Sequence, residues 1–165
     1  MKKLVCAVLV CLILCSCGSS KTQPVLKGIT FFAEMTYYNE SYAFEGELFS
    51  DGSLVAVITA PEELKDLTLT LNGDSVTAEY KGLTYTPVEG SMPFSAVMSE
   101  FYAPIKEINQ KSFVADSNGK IKFNSNGCEA TLTVSPTGLP QKLEIPDERF
   151  CIMFYNICVK EEVNE

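Results

Sequence analysis

In the stretch LTLTLNGDSVTAEY, residues 67–80, Leu67, Leu69 and Leu71 alternate with Thr68 and Thr70. After Asn72-Gly73-Asp74 the alternation resumes, with Val76, Ala78 and Tyr80 against Thr77 and Glu79. Successive side chains of a strand point to opposite faces, so a period of two marks a half-buried strand. An Asn-Gly pair between two such runs closes a hairpin. The stretch therefore predicts two antiparallel strands with one apolar and one polar face.

The same pattern continues on both sides of this hairpin. Turn signals recur at Ser50-Asp51-Gly52, Lys81-Gly82, Asn118-Gly119, Asn126-Gly127 and Thr137-Gly138. Between them, Ile29, Phe31, Ala33 and Met35 oppose Thr30, Glu34 and Thr36, and Tyr42, Phe44, Gly46 and Leu48 oppose Glu45 and Glu47. The runs SLVAVITA, GLTYTP, KIKFN, CEATLTV and QKLEIP supply further strands. RFCIMFYNICV, residues 149–159, is apolar on both faces, which predicts a central strand covered on both sides.

One segment departs from the period of two. In PFSAVMSEFYAPIKEINQ, residues 93–110, Phe94, Val97, Met98, Phe101, Tyr102, Ile105 and Ile108 recur at spacings of three and four. That is one face of an α-helix. Pro93 suits its first turn, whereas Pro104 should kink or break it near Tyr102–Ala103. PEEL, residues 61–64, suits a single helical turn. The expectation is a mainly β domain: a curled antiparallel sheet of about ten strands, a half-open β-barrel, plugged by one amphipathic helix. A sheet of that size curls or closes.

The amino terminus, MKKLVCAVLVCLILCSCGSS, has two lysines, an apolar run from Leu4 to Cys15 and a small-residue exit. This is the layout of a secretory signal peptide, and the run is shorter than the ~20 residues a membrane span needs. Leu14-Cys15-Ser16-Cys17 resembles the bacterial lipobox, whose invariant cysteine is lipidated and becomes the mature amino terminus. The resemblance implies residues 1–16 as the signal, Cys17 as the lipid-bearing residue, and the outer side of the cell membrane as the location. Residues 17–27, polar and without periodicity, read as a flexible tether to a single domain over residues 28–165.

The chain carries a net charge of −8, and losing Lys2 and Lys3 with the signal makes the remainder more acidic. Such a surface repels nucleic acid. There is no histidine, which removes the commonest general base and the commonest zinc ligand. No Cys-x-x-Cys pair, phosphate loop or nucleophile-elbow motif occurs. Glu45 with Glu47 and Glu62 with Glu63 are the available carboxylate pairs, and they read as solvated polar faces. The sequence predicts neither an enzyme, nor a metal, nor a cofactor. Of the body cysteines, Cys128 and Cys151 could form one disulfide, or all of Cys128, Cys151 and Cys158 could be inert buried thiols.

If the sheet curls around the helix, the space between them is either an apolar cavity or a filled core. The residues expected to line it are Phe31, Phe44, Leu48, Val57, Leu69, Leu71, Tyr80, Leu132, Leu143, Ile152 and Phe154, with Met98 and Phe101 from the helix. Aromatic side chains and methionine, which adapts its shape, suit floppy acyl chains as ligands, and they suit a dry core equally well.

The lipobox, the phrase FEGELFSDGS at 44–53, ITAPEELKDLTLTLNGDSVTAEYKGL at 58–83, a helix, and VSPTGLPQKLEI at 134–145 together resemble the LolA-like and LppX-like lipoprotein-carrier superfamily. More narrowly, they are similar to small lipoproteins of spore-forming Gram-positive bacteria. The resemblance implies a half-open β-barrel that binds lipid acyl chains. The alternative it implies is a dry-cored surface module that docks a cell-envelope protein, such as a germination or cell-wall amidase partner.

Overall fold

The computed structural model describes residues 22–73, 75–86 and 93–160, with side-chain surroundings in the helix from Val97 onward. Ten strands form one antiparallel sheet. They are β1 (Ile29–Tyr37), β2 (Glu40–Leu48), β3 (Leu54–Ala60), β4 (Thr68–Asn72), β5 (Ser75–Tyr80), β6 (Leu83–Tyr85), β7 (Lys120–Ser125), β8 (Cys128–Val134), β9 (Pro140–Ile145) and β10 (Phe150–Val159). The helix α1 spans Pro93–Gln110, and Glu62–Leu64 makes a short 3-10 turn where PEEL predicted one.

Two meanders meet in the middle. The strand order is β6-β5-β4-β3-β2-β1-β10-β9-β8-β7. The sheet is not closed, since β6 and β7 are its free edges. The hairpin register follows the alternation, with Leu69 opposite Ala78 and Leu71 opposite Val76. Lys120 and Lys122 are exposed along the β7 edge, where charge discourages pairing with another chain.

The helix reports the curl. It packs near both β4 and β7, which are separated by β3, β2, β1, β10, β9 and β8. On a flat sheet those strands would lie roughly 34 Å apart at ~4.8 Å per strand, more than the ~27 Å length of an eighteen-residue helix even if it lay straight across them. The sheet is therefore a curled half-open barrel with α1 as its plug. Its inner face forms one core that includes Ile29, Phe31, Ala33 and Met35 of β1 and Val97, Met98, Phe101, Tyr102, Ile105 and Ile108 of α1.

Three expectations are corrected here. First, the helix does not break at Pro104: α1 runs through that residue, which is itself buried. A proline inside a helix costs about 3 kcal/mol. The apolar residues flanking it contribute about 1.5–3 kcal/mol each on burial, so packing outweighs the lost hydrogen bond. Second, β10 is central but covered on one side only. Phe150, Ile152 and Phe154 are buried, while Cys151 and Met153 are half-buried and Tyr155 is exposed on the other face.

An extra residue also interrupts β10, an irregularity on which the sequence was silent. Thr30 pairs with Cys158 but Phe32 pairs with Tyr155, and Asn156 takes a left-handed φ of 50° in the gap. This bulge resets which side chains face inward beyond it. Third, residues 22–27 are not a free tether. Thr22 accepts the Ala115 N–H at 2.9 Å, the Val25 N–H donates to Gly138 at 2.8 Å, and Leu26 is fully buried. Gly138, at φ 86°, permits that approach: a Cβ there would lie 2.2 Å from the Gln23 carbonyl oxygen. Cys17 and the signal segment lie outside the described residues.

Candidate functional site

The interface between α1 and the inner sheet face gathers most of the residues that the sequence pointed to. Phe31, Phe44, Leu48, Leu69, Leu71, Met98, Phe101, Leu132, Leu143, Ile152 and Phe154 are all buried there. Four rings form its centre. Phe31 and Phe154 lie 5.3 Å apart between centroids, Phe44 and Phe101 5.8 Å, and Phe101 and Phe154 6.1 Å. These edge-on and tilted contacts are the favoured geometry of aromatic pairs. Phe101 reaches from the helix into the sheet rings, so these side chains fill the space they enclose.

Tyr80 is half-buried at the margin, where Leu83 and Tyr85 of β6 are exposed. Val57 is corrected: it lies on the outer face. Leu54, Ala56 and Ile58 take the inward positions of β3, and Val55 and Val57 the outward ones. Met35, Ile58, Leu26, Ile105 and Phe150 belong to the same core and were not among the lining residues expected from sequence. Met35 follows from the alternation already noted. Leu26 had no periodic signal.

Hydrogen bonds from Tyr102 and Asn109 tie the plug to its surroundings. The Tyr102 hydroxyl donates to the Gly52 carbonyl at 2.8 Å, and the Asn109 amide donates to the Leu26 carbonyl at 3.3 Å. Among the described residues, Ser125 is the one buried polar residue, and no acidic or thiol cluster could hold a metal. Among the described residues the interior thus buries no carboxylate, ammonium or guanidinium group.

The outer face carries a trough of about 420 Å³, lined by Thr30, Phe32, Glu45, Glu47, Val55, Val57 and Asn156. Glu47 is paired with Lys160. Glu62 and Glu63 are exposed, with Lys65 3.6 Å from Glu62.

The three body cysteines are free thiols. Cys128 faces inward, opposite buried Ser125, whereas Cys151 faces outward between buried Phe150 and Ile152. A bridge between them would have to pass through the sheet, so the expected disulfide is overturned. Burial pushes the Cys128 thiol up, and so does its hydrogen bond to Glu148. Burial likewise raises Cys151, against a smaller opposing effect of Lys142. The thiolate is the reactive form. At pH 7–8, alkylation followed by peptide mapping should therefore label exposed Cys158 first, with Cys128 and Cys151 slower until denaturant is added.

Comparison with known protein families finds no match, and comparison with curated proteins finds none. Among solved structures, the chain is similar to a DUF1329 family protein from Desulfovibrio piger. The likeness has 11% sequence identity and a TM-score of 0.37, and covers 83% of this chain and 86% of that one.

Proposed function

We propose that the protein is a non-enzymatic, membrane-anchored lipoprotein that binds lipid acyl chains between α1 and the inner face of the sheet. The observation that carries this reading is the chemistry of that interface. Its buried side chains are almost all apolar, the Tyr102 hydroxyl being bonded to Gly52, it holds the adaptable side chains of Met35 and Met98, and a single helix closes it.

Magnitudes decide what kind of opening is feasible. Fully exposing Val97, Met98, Phe101, Tyr102, Ile105 and Ile108 would cost roughly 9–18 kcal/mol at about 1.5–3 kcal/mol each. A sixteen-carbon chain leaving water contributes about 13 kcal/mol at ~0.8 per methylene. One acyl chain thus offsets a helix that shifts outward while keeping part of its contacts. It does not offset a helix that leaves the barrel, because the apolar sheet residues beneath the helix would then be exposed as well, adding to that cost.

A second reading is a dry-cored module that docks a cell-envelope partner. The close ring contacts around Phe101 favour it, because they leave the interior filled without a ligand.

Native mass spectrometry of the protein purified from membranes separates the two. The first reading expects one bound lipid beyond any covalent acyl groups, and uptake of a fluorescent palmitate analogue. A clean protein mass with no uptake overturns it and leaves the second.

A further inference from the structure

The two ends of the barrel differ. At one end lie the starts of β1 and β3, the ends of β2 and β10, and the segment that begins at Thr22. Three large apolar side chains are exposed there: Phe49 at 37%, Val114 at 39% and Val159 at 56%. Phe49 and Val159 are brought near each other by Lys160. The Lys160 N–H donates to the Gly28 carbonyl at 2.7 Å, and its ammonium group lies 6.0 Å from the Phe49 ring centroid. Val114 is held beside Thr22 by the bond from Ala115.

Charge is also uneven. Among the described residues, this end has Lys27, Lys111, Lys120 and Lys160 against Glu47, Asp51, Glu107 and Asp116. The opposite end has Glu40, Glu62, Glu63, Asp66, Asp147 and Glu148 against Lys65, Lys81 and Arg149. The first end is therefore the one less repelled by anionic lipid headgroups.

We infer that this end, presenting Phe49, Val114 and Val159, rests on the bilayer surface as a second contact beside the lipid anchor. The inference builds on the anchored reading above. From Cys17 to docked Thr22 the chain spans at most about 18 Å when fully extended. With Cys17 acylated, the end that holds Thr22 is thus confined close to the headgroups. The far end, across the nine residues of β1, stands roughly 30 Å further out. Interfacial aromatic and aliphatic side chains then leave water, while Lys27 and Lys160 keep their charges at headgroup level.

The chain contains no tryptophan, so an introduced one reports alone. Full-length Phe49→Trp, Val159→Trp and Tyr38→Trp proteins would each be purified from membranes and placed in phosphatidylcholine/phosphatidylglycerol vesicles. Tyr38 is half-exposed at the far end. With brominated lipid, the first two should lose emission by about twofold, the depth expected of interfacial insertion, and the Tyr38→Trp protein should not. Mass spectrometry of the amino-terminal peptide reads acylation separately. Acylated protein with equal, unquenched emission at all three positions overturns the surface contact and leaves the anchor intact. Unmodified Cys17 overturns both. Emission of the Phe49→Trp protein that responds to protein concentration and not to bromine assigns the face to a second copy, and overturns the proposal.

Discussion

Replacing Phe101 with alanine is expected to cost about 3–5 kcal/mol of stability, the range for removing a large aromatic side chain from a packed core. Phe101 is fully buried, and its ring contacts Phe31, Phe44 and Phe154 at centroid distances of 5.8–6.4 Å. It is the point where the helix enters the barrel, so the void left behind is bordered by three rings on different strands. Those strands hold their ladder positions through backbone hydrogen bonds and cannot close in. For a domain of this size the loss corresponds to a melting temperature lower by on the order of 10–15 °C. Thermal unfolding followed by far-ultraviolet circular dichroism checks it. A change below about 1 kcal/mol would mean that the plug does not hold the barrel in solution. The same variant separates the two functional readings. An acyl-chain site gains room when the ring goes and should take up the palmitate analogue at least as well, whereas a dry-cored module takes up none before or after.

Most of the fold was legible because its inner face is written in alternation. Where threonine or glutamate occupies every second position, as in β8 and most of β4, or half or more of them, as in β1 and β2, the inward residues follow directly. The readings failed where that contrast is missing. Both faces of β3 are apolar, so nothing in the sequence set the parity that places Val57 outside. Both faces of β10 are apolar too, but for a different reason from coverage on two sides. Its outward residues meet Phe32 and Glu34 of β1: the Phe32 and Tyr155 rings lie 6.3 Å apart, and the Tyr155 hydroxyl donates to Glu34 at 3.3 Å. Docking of Val25 and Leu26 was invisible because a single pair of apolar residues has no period. What holds it, the close approach at Gly138, depends on a loop more than a hundred residues away in sequence. The Cys128–Cys151 expectation failed on parity again, since lying in two strands of one sheet does not place two side chains on the same face, and β9 separates these two strands.

Gly46 carries the second large effect. It faces inward on β2 opposite Phe31, among side chains that are otherwise bulky. A Cβ built there would lie 2.3 Å from Phe31 Cζ and 2.6 and 2.9 Å from the two Cε atoms. No real contact is that short, so the ring must move. A terminal ring atom in open space would yield at little cost. This ring is closed in by Phe44, Phe101 and Phe154 at 5.3–6.4 Å, and any shift passes to the helix through Phe101. Gly46→Ala is therefore expected to destabilise by about 1–3 kcal/mol through overpacking, despite alanine's lower backbone entropy cost. The cause can be isolated with a second substitution. Phe31→Leu alone removes ring volume and should also destabilise. Combined with Gly46→Ala, it removes the clash, so the double variant should be more stable than the sum of the two losses by about 1 kcal/mol or more. Denaturant unfolding of the four proteins reads that coupling. Strict additivity would show that the ring is free to step aside, and that the interior at β1, β2 and α1 is looser than its contacts imply. A loose interior would in turn lower the cost of shifting the helix, so the coupling also measures how readily the barrel could admit a chain.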